Sequence, residues 1–426
     1  MSSSLPGEDA EQSPVEAPLR LMLLTHSYWP EHSPPQRRWG ALTREFRSAG
    51  WHVDVVAPVA HYPYGRRNLP RRQAGLAFSA QKGPHGETVR RVPYLRHIGT
   101  SSVARLVDQV FSAVLSVPAG LTGKKPDAVL ATAPSLPTLA AGLVLSRLRK
   151  VPLIVEMRDA WPDLARDARI VQGSVKSVVE HVVEFVQRRA DLVVTVTDGF
   201  ADILRARGVR NVITVSNGLD LSTMPFLQPP PLEREGFHAL YLGNHGKSQR
   251  LDVLIRAAAL LGEGFHLTLV GSGTSRPQLV KLARELDAPV TFYPSLHGQA
   301  IIDKYREADT CIVSLRDDWK SFETTVPSKT YEVLAIGRHV TAIVRGEAER
   351  IILDAKGGDV VAANAEAVAE LWRTLSKDRA RLSAGKSGRE WVENHAEYSK
   401  LALGYMGHIR QLVSHDSAAR SQERAA

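Results

Sequence analysis

The stretch V-P-S-K-T-Y-E-V-L-A-I-G, residues 326–337, predicts a short helix preceded by a loop. Pro327 and Ser328 form a start signal in which the serine can cap the first turn, and Gly337 supplies a left-handed end. The N-terminus of such a helix offers free backbone N–H groups and a partial positive charge, which suit a phosphate. Glu332, one turn in, can accept two hydroxyl hydrogen bonds, as from a ribose. The alternative is an ordinary amphipathic helix with an exposed glutamate.

Short apolar runs alternate with helical patterns on both sides of this helix, as in parallel sheets crossed by helices. Three consecutive prolines at 229–231 can continue neither element, so a domain boundary belongs there. A chain of 426 residues fits two domains. We therefore predict an α/β fold with two Rossmann-like, doubly wound domains. The expected divisions are a disordered tail at 1–17, a first domain at 18–224, a linker at 225–236, a second domain at 237–388, a C-terminal helix at 389–413 and a disordered tail at 414–426.

Composition narrows the class of protein. The apolar content of 43% is ordinary for a globular protein, and the single cysteine, Cys311, excludes an internal disulfide framework and fits a reducing compartment. The apolar runs are shorter than the roughly 20 residues needed to cross a bilayer. Residues 1–17 lack the pattern of a signal peptide, so a cytoplasmic location is expected.

The net charge of +9 is concentrated in the N-terminal half. Between Arg66 and Arg105, nine basic residues face one acid, Glu87, and an apolar helical pattern follows at 103–121. This combination suits an anionic membrane surface, such as the inner face of the plasma membrane, or an anionic substrate. The alternative is a solvated loop beside a core-facing helix. Nucleic acid is not an expected partner, because neither zinc-finger spacing nor an aromatic RNA-binding signature accompanies the charge.

Ligands in parallel α/β sheets bind beyond the carboxyl ends of the strands, which directs attention to the loops that follow each apolar run. Arg158 and Asp159 follow such a run and can take part in acid–base or hydroxyl-binding work, or can form a local pair that orders the loop. His26 follows the first strand and can bind a substrate hydroxyl or cap the strand end. The candidate loops of the first half are 26–38, 61–67, 132–137 and 158–163.

Two glycine loops in the second half each follow a predicted strand and precede a helix. Residues 243–247, G-N-H-G-K, allow close approach of the backbone and carry a cation, whereas residues 271–273, G-S-G, carry none. Together with the helix at 326–337 they favour a site for a nucleotide diphosphate. A P-loop phosphotransferase and a dinucleotide-dependent dehydrogenase are both disfavoured, because the G-x-x-x-x-G-K-[ST] and complete G-x-G-x-x-G motifs are missing.

These motifs as a set resemble the retaining GT-B glycosyltransferases of family four, and among them the subgroup that makes bacterial surface polysaccharides. The resemblance covers about residues 19–410. It rests on two Rossmann-like halves, on the two glycine loops and on P-S-K-T-Y-E-V-L-A-I-G at 327–337. The first half agrees through S-Y-W-P-E-H-S-P-P-Q-R-R-W at 27–39, H-Y-P-Y-G at 61–65, R-D-A-W-P at 158–162, R-R-A-D-L-V-V-T-V-T-D-G-F at 188–200 and V-S-N-G-L-D at 215–220.

The resemblance implies a role for each matching residue. Lys247 would neutralise the donor diphosphate with help from backbone amides near Gly246 and Ser328, and Glu332 would bind the ribose. The implied donor-binding residues are Gly243, Asn244, Gly246, Lys247, Arg250, Gly271, Gly273, Ser295, Leu296, Glu323, Thr324, Pro327, Ser328, Lys329 and Glu332. Catalysis is assigned to Asp159, Arg158, Lys247 and His26, and acceptor binding to Arg37, Arg38, Tyr62 and Arg66.

The sequence departs from the family pattern at two places. The family often carries two glutamates separated by seven residues, and the position of the earlier one is Thr324 here, with Glu323 beside it. Either Glu323 takes over the contact with the donor sugar or that contact is missing. The second departure is Gln249-Arg250, where many members have Lys-Gly, so that Arg250 can supply a second cation.

The resemblance implies transfer of a sugar from a nucleotide diphosphate sugar, a UDP-sugar in preference to a GDP-sugar, to a saccharide or lipid-linked acceptor with retention of configuration. It also implies a role in cell-surface polysaccharide or glycolipid synthesis, no metal, no further cofactor, and a C-terminal helix that crosses back to the first domain. Asp317-Asp318 is expected to be solvated rather than a ligand pair. Two alternatives stay open: a nucleotide-sugar epimerase, which needs no acceptor, and a non-catalytic binding protein, because the first glutamate is displaced.

Overall fold

The first domain is built on one sheet. The computed structural model describes residues 17–62, 65–67, 69–97, 102–158 and 174–425. The strands of the first sheet, within those ranges, are β1 Arg20–Leu24, β2 His52–Pro58, β3 Ala80–Lys82, β4 Thr88–Val92, β5 Ala128–Thr132, β6 Leu153–Met157, β7 Leu192–Thr195 and β8 Val212–Thr214. They lie in the order β3-β4-β2-β1-β5-β6-β7-β8, and only β3 runs antiparallel to its neighbour among the described strands.

Helices cover both faces of this sheet because its central strands are apolar on both sides and must be buried on both. The helices are α1 Pro34–Ser48, α2 Arg71–Ala74, α3 Ser102–Leu121, α4 Leu136–Arg149, α5 Ser174–Arg189 and α6 Asp198–Ala206. One core lies between the sheet and α3, α4 and α6, and contains Met22, Val129 and Leu145. The other lies beneath α1 and contains Trp39, Phe46 and Trp51.

The second domain repeats the arrangement with a parallel sheet. Its strands are β9 Phe237–Leu242, β10 Phe265–Val270, β11 Val290–Tyr293, β12 Thr310–Ser314, β13 His339–Ile343 and β14 Gly358–Val360, in the order β11-β10-β9-β12-β13-β14. Its helices are α7 Leu251–Leu261, α8 Arg276–Glu285, α9 Gln299–Glu307, α10 Ser328–Ile336, α11 Glu347–Asp354 and α12 Ala365–Lys377. The predicted pair of doubly wound α/β domains is therefore confirmed.

The basic segment at 66–105 contains a strand pair that the sequence did not predict. β4 extends the sheet beside β2, although Arg90 and Arg91 interrupt its apolar run. Arg91 is buried and donates to the carbonyl oxygens of Pro58, at 3.0 Å, and Trp29. Burial lowers the pKa of Arg91 to about 10. A buried arginine that binds backbone carbonyls looks, in sequence, like part of a solvated loop.

The chain returns to the first domain near its C-terminus, through α13 Gly385–His395 and α14 Tyr398–Ala425. α13 packs on α10, whereas α14 packs on α1 and buries Tyr405 and Ile409 in the core of the first domain. At the crossing, the Leu219 N–H donates to the Ala396 carbonyl oxygen at 2.8 Å, and the Tyr398 N–H donates to the Leu219 carbonyl oxygen at 3.0 Å. The C-terminal segment is thus two helices, where the sequence predicted one at 389–413.

The prediction of a disordered tail at 414–426 is wrong for the part that the structure describes, because α14 continues to Ala425. The segment is polar, but it is rich in residues with high helix propensity, such as Ala418, Ala419 and Gln422. An ion pair between Arg420 and Asp416 at 2.7 Å adds support at i,i+4 spacing. High polarity was therefore a poor guide to disorder here.

Candidate functional site

The two glycine loops of the second domain interlock at the carboxyl ends of β9 and β10. The His245 N–H donates to the Ser272 carbonyl oxygen, and the Ser275 N–H donates to the His245 carbonyl oxygen, both at 2.8 Å. A Cβ at Gly271, where φ is 141°, would overlap the carbonyl oxygen of Gly243, and one at Gly273 would overlap that of His245. Only glycine fits at 271 and 273, so both loops can present backbone to a ligand at one edge of the sheet.

Lys247 is the cation that this edge offers. It is exposed at the start of a short 3-10 turn, Lys247–Gln249, and has no ionic partner among the described residues. Burial lowers the pKa of the neighbouring His245, which keeps that ring neutral. Arg250, predicted as a second cation, adopts a left-handed conformation and pairs with Asp252 at 3.4 Å. The charge of Arg250 is therefore partly neutralised, and Lys247 is the better candidate for a phosphate contact.

The helix predicted at 326–337 is α10, which begins at Ser328 and ends at a left-handed Gly337. Pro327 occupies the cap position, and the predicted side-chain cap from Ser328 is not formed. That part of the prediction is wrong, because Ser328 is already the first helical residue. The Thr330 N–H donates to the Pro327 carbonyl oxygen at 2.9 Å, and the N–H groups that precede it have no earlier helical carbonyl to bind, so the start of α10 has the polarity that an anion requires.

Glu332 is held in place by two side chains rather than exposed on an ordinary helix. The buried Tyr305 hydroxyl donates to its Oε1 at 2.8 Å, and Lys329 Nζ donates to its Oε2 at 2.8 Å. Burial, followed by the charge of Glu332, raises the pKa of Tyr305, so the hydroxyl stays a donor. A carboxylate has about four acceptor positions, which leaves room for two hydroxyl groups of a ligand. Lys329, predicted to touch the donor, contacts Glu332 in this state.

Thr324 and Glu323 lie where the two domains meet. The Thr197 hydroxyl of the first domain donates to the Thr324 carbonyl oxygen at 2.8 Å, while the Glu323 side chain is exposed. A second contact joins the domains nearby, where the Gly199 N–H donates to Glu347 at the start of α11. Glu323, if it contacts a sugar, would therefore act from the rim of this junction.

Ser295 and Leu296, predicted to bind the donor, follow β11. The hydroxyl oxygens of Ser295 and Ser272 are 3.5 Å apart, so this loop adjoins the second glycine loop. Leu296 is half-buried against the core of the second domain. The structure thus brings the predicted donor residues together along one edge formed by β9, β10, β11 and α10.

The predicted acceptor residues do not all face solvent. Arg37 and Arg66 are exposed, and so is Tyr62. Assigning Arg38 to the acceptor is wrong: its buried guanidinium pairs with Glu156 at 3.0 Å and donates to the Val215 carbonyl oxygen at 2.8 Å. That arginine fastens α1 to the carboxyl ends of β6 and β8.

Of the residues predicted for catalysis in the first domain, Arg158 is half-buried directly after β6, and Asp159 lies outside the described residues. His26 follows β1, and its Nε2 is 3.3 Å from Asp108 Oδ2 on α3. Its alternative role, as a group that fixes the end of the strand, is the one its contact supports.

The sequence did not single out the partners of His26. Asp108 is fully buried and is approached by three imidazoles, so that His26, His61, His97 and Asp108 form a histidine cluster. Burial alone would raise the pKa of Asp108, but hydrogen bonds from His26 and His61 hold it well below its usual range. Ligand atoms of His26, His61 and Asp108 lie within 4.8 Å of one another, close enough to hold a metal ion. In the sequence, the available sign of this cluster was Asp108, the single acidic residue of a largely apolar helix.

α3 differs from an ordinary amphipathic helix, because several of its polar side chains are buried and several of its apolar side chains are exposed. It buries Asp108, Ser112 and Ser116 against the first domain and turns a valine stripe outward. The stripe consists of Val103, Val107, Val110 and Val114, which are 74%, 51%, 46% and 64% exposed. Within the described residues, one stretch, Val103–Leu121, is long and apolar enough to cross a membrane, and 28% of it is buried. The alternative of a core-facing helix holds for one side of α3 only, because Ala113 belongs to the core of the first domain while the valine stripe is exposed.

The exposed apolar surface continues from α3 onto α4 and α5. A groove of about 800 Å³ lies between the three helices, and its lining is almost wholly aliphatic. Lys124, which follows α3, Arg147 near the end of α4, and Arg188 at the end of α5 are exposed at one end of the three helices. We call this surface the apolar face; it consists of the stripe of α3 together with Val144, Leu148, Val182 and Phe185.

Comparison with protein families divides the chain where the structure does. Residues 35–218 match the model of a glycosyl transferase 4-like domain, and residues 236–378 match that of the glycosyl transferases group 1. The two matches meet at the proline linker. No curated protein sequence gives a match.

Solved structures of similar fold span nearly the whole chain. Sucrose-phosphate synthase from Thermosynechococcus elongatus has a TM-score of 0.72 at 18% identity, covering 93% of this chain and 99% of its own. HepE from Anabaena, in complex with UDP and glucose, has a TM-score of 0.67 at 13% identity, with coverage of 92% and 99%. WaaG, a glycosyltransferase involved in lipopolysaccharide biosynthesis, has a TM-score of 0.63 at 16% identity, with coverage of 91% and 99%. The shared feature is the GT-B fold of two facing domains.

Proposed function

Because the chain carries the two domains of a GT-B glycosyltransferase, we propose that it transfers a sugar from a nucleotide diphosphate sugar to a lipid-linked saccharide, with retention of anomeric configuration. The observation that carries the proposal is the shared edge of the second domain. There the interlocked glycine loops, Lys247 and the start of α10 lie at the ends of neighbouring strands, and Glu332 is held one turn into the helix.

The donor chemistry follows from the charges at this edge. Cleavage of the bond between the anomeric carbon and the diphosphate leaves negative charge on the departing phosphate oxygen. Lys247 and the N-terminus of α10 stabilise that charge without rearranging, which is usually the largest catalytic contribution. In this account the cation and the helix do the work that a metal ion does elsewhere.

Retention follows if the acceptor attacks from the face that the diphosphate leaves. The acceptor oxygen forms its bond to the anomeric carbon, the bond to the diphosphate breaks, and the acceptor proton passes to the departing phosphate oxygen. Arg158, directly after β6, and Asp159, the next residue in the sequence, are the candidates to orient the sugar or the acceptor. The mechanism requires no covalent enzyme intermediate.

A UDP-sugar is the proposed donor, ahead of a GDP-sugar. The similar structure of HepE was determined with UDP and with UDP-glucose, which supports a uridine nucleotide at a site of this shape. Glu332 would accept from the two ribose hydroxyls, and Ser295 and Leu296 would border the base. These contacts recognise the nucleotide and not the sugar.

The acceptor is proposed to be presented by an anionic membrane, on which the apolar face rests. An aliphatic surface with cations at one end fits a bilayer whose head groups are anionic and whose interior is apolar. We accordingly propose that the protein works in the cytoplasm at the inner face of the membrane, in cell-surface polysaccharide or glycolipid synthesis. The exposed Arg37, Tyr62 and Arg66 are the proposed contacts of the acceptor.

The test combines donor binding with turnover. UDP-, GDP- and TDP-sugars are compared by thermal shift, where a bound ligand raises the melting temperature with the logarithm of its concentration. The preferred donor is then incubated with and without membranes, and free nucleoside diphosphate is measured. We expect release that depends on membranes, and a product whose anomeric configuration matches the donor.

Other outcomes identify the alternatives. Conversion of the labelled nucleotide sugar into its epimer without any acceptor would establish an epimerase. Binding without release or conversion would establish a non-catalytic protein. Product of inverted configuration would overturn the retaining mechanism and leave transfer intact.

A further inference from the structure

The histidine cluster joins four separate parts of the first domain. His26 follows β1, His61 follows β2, His97 lies between β4 and α3, and Asp108 is on α3. All four side chains are largely or fully buried; the most accessible, that of His26, is 17% exposed. Burying one carboxylate and three imidazoles at one point is costly unless each polar atom has a partner.

The imidazoles converge on one oxygen. The Nε2 atoms of His61, His26 and His97 lie 3.0, 3.3 and 3.7 Å from Asp108 Oδ2. A tetrahedral zinc ion with bonds of about 2.0–2.2 Å holds its ligand atoms about 3.3–3.5 Å apart. The separations of His61 and His26 from Asp108 Oδ2 are close to that value, and the ligand atoms of His26, His61 and Asp108 all lie within 4.8 Å of one another, so a zinc ion can be held after the side chains adjust around it.

The surrounding contacts are those of a supported metal site. His61 Nδ1 is 2.8 Å from the Val59 carbonyl oxygen, so in the metal-bound form His61 would keep a proton on Nδ1 and offer Nε2 to the ion in place of its hydrogen bond to Asp108. Asp108 Oδ1 accepts from the Leu95 N–H at 2.7 Å, which leaves Oδ2 for the centre. Ligating imidazoles and carboxylates are commonly fixed by outer contacts of this kind.

We propose that His26, His61 and Asp108 bind one divalent transition-metal ion, with zinc as the best match. His97, whose Nε2 is 3.7 Å from Asp108 Oδ2, lies beside these three ligands. A set dominated by imidazole nitrogen favours zinc over magnesium or calcium, which prefer oxygen ligands. The site lies in the first domain, whereas Lys247 and α10 belong to the second, so the ion is proposed as a structural one and its binding can be tested apart from donor binding.

The ion fastens α3 to the strand ends that face the other domain. α3 carries the exposed valine stripe on its outer side and Asp108 on its inner side. An ion held by Asp108, His26 and His61 would fix the helix and the loops after β1 and β2 as one unit. In this role His26 is a metal ligand, and it does not act on the substrate as a base.

The test uses the full-length chain without a histidine tag, stripped with a chelator. We expect calorimetry to show one zinc ion per chain and the melting temperature to rise with added zinc. Cobalt(II) should give the visible absorption of a four-coordinate ion bound to nitrogen and oxygen. Because loss of an outer contact alone costs about 10–100-fold in affinity, His61→Gln and Asp108→Asn should each weaken zinc binding at least about tenfold.

His52→Gln is the matched control, because His52 is an exposed histidine at the start of β2 in the same domain. It should bind zinc and cobalt as the unaltered chain does. Circular dichroism checks that each variant is folded, and His26→Gln provides a second variant if Asp108→Asn does not fold. The proposal is overturned if the stripped chain binds no zinc, or if His61→Gln and His26→Gln retain the affinity and the cobalt spectrum of the unaltered chain.

Discussion

Lys247 and Glu332 are suited to opposite parts of one ligand because their surroundings differ. Lys247 is exposed and unpaired among the described residues, so its charge is available to a phosphate. Glu332 is fixed by Tyr305 and Lys329, so its carboxylate has one orientation before a ligand arrives. A fixed acceptor group loses little entropy when it binds two hydroxyls, and this is the meaning of preorganisation at the scale of a residue.

Replacing Lys247 by alanine should lower kcat/KM about 10²–10³-fold, because one preorganised charge on the leaving group is lost. The melting temperature should be unchanged, since the side chain is exposed and unpaired. Steady-state kinetics and thermal unfolding measure the two effects. Lys281→Ala is the control, since Lys281 is exposed on α8 and forms a surface ion pair with Glu285 at 3.5 Å. Full activity in the Lys247 variant would show that the diphosphate binds elsewhere.

Glu332→Gln should raise the KM for the donor about 10–100-fold, because an amide offers fewer acceptor positions to two hydroxyls. The informative comparison is between the natural donor and its 2′-deoxy analogue. The unaltered enzyme should discriminate between them, and the variant should discriminate much less. If the variant still rejects the deoxy donor as strongly, Glu332 does not bind the ribose.

Single residues could be predicted from sequence only where a motif fixed their place on an element. Glu332 was located because Pro327 and Gly337 fix both ends of α10. Arg38 was misassigned because neighbours on a helix differ by about 100° in direction, so Arg37 faces solvent and Arg38 faces the core. The clustering of the histidines around Asp108 depends on chain segments that are distant in sequence, which no local pattern records.

At the scale of the element, α3 shows the limit of periodicity. A helical repeat reveals that two faces differ, but it does not say which face the rest of the fold will cover. In α3 the buried residues include the polar Asp108, Ser112 and Ser116 as well as Ala113, because Asp108 meets the imidazoles and the small side chains permit close packing. The strands carried no such ambiguity, since an apolar run flanked by turns has to be buried on both sides.

Val107→Glu combined with Val114→Glu should abolish binding to anionic lipid vesicles while the protein stays folded. Each valine that enters the lipid contributes about 1.5–3 kcal/mol, and each new carboxylate is repelled by the surface. Vesicle sedimentation at several salt concentrations measures the loss. Leu403→Glu, at an exposed leucine of α14, is the control and should bind as before. Equal vesicle binding by the unaltered protein, the double variant and the Leu403 variant would show that the apolar face is not the membrane-binding surface.

Two truncations of α14 should distinguish the contributions of its two halves to the stability of the first domain. Removing residues 414–426 should shift the melting temperature by less than about 2 °C, since this part is almost entirely exposed. Removing residues 398–426 should unfold the first domain, because Tyr405, Met406 and Ile409 leave its core. Circular dichroism and thermal unfolding follow both. A large loss from the shorter truncation would mean that the distal half of α14 packs on something.

At the scale of the whole molecule, the described state has the two domains in contact. The Thr197 hydroxyl reaches Thr324, and the Gly199 N–H reaches Glu347, so α6 of one domain meets the 3-10 turn Lys320–Thr324 and α11 of the other. These contacts lie beside the proposed donor edge. Closure of the two domains excludes water and protects an activated sugar from hydrolysis. The equilibrium between open and closed forms therefore affects how much donor is transferred rather than hydrolysed.

Glu347→Ala should shift that balance toward the open form, because a hydrogen bond to a charged group is worth about 1.5–3 kcal/mol. Small-angle scattering should show a larger radius of gyration without donor, and a return toward the closed value when UDP is added. Glu349→Ala, on the same first turn of α11, should behave like the unaltered protein. An unchanged radius of gyration would show that this contact does not hold the domains together.

The crossing at Leu219 and Ala396 limits how the domains can separate. Two chain segments pass between them side by side, and the backbone of Leu219 is bonded to both Ala396 and Tyr398. A single connecting segment would let one domain rotate or shift freely relative to the other. Two hydrogen-bonded segments restrict both motions. The motion that this pairing leaves free is a hinge rotation of one domain about the line through the Leu219–Ala396 and Leu219–Tyr398 hydrogen bonds. Each time the domains close again, a hinge of this kind brings the facing surfaces of the two domains back into the same register.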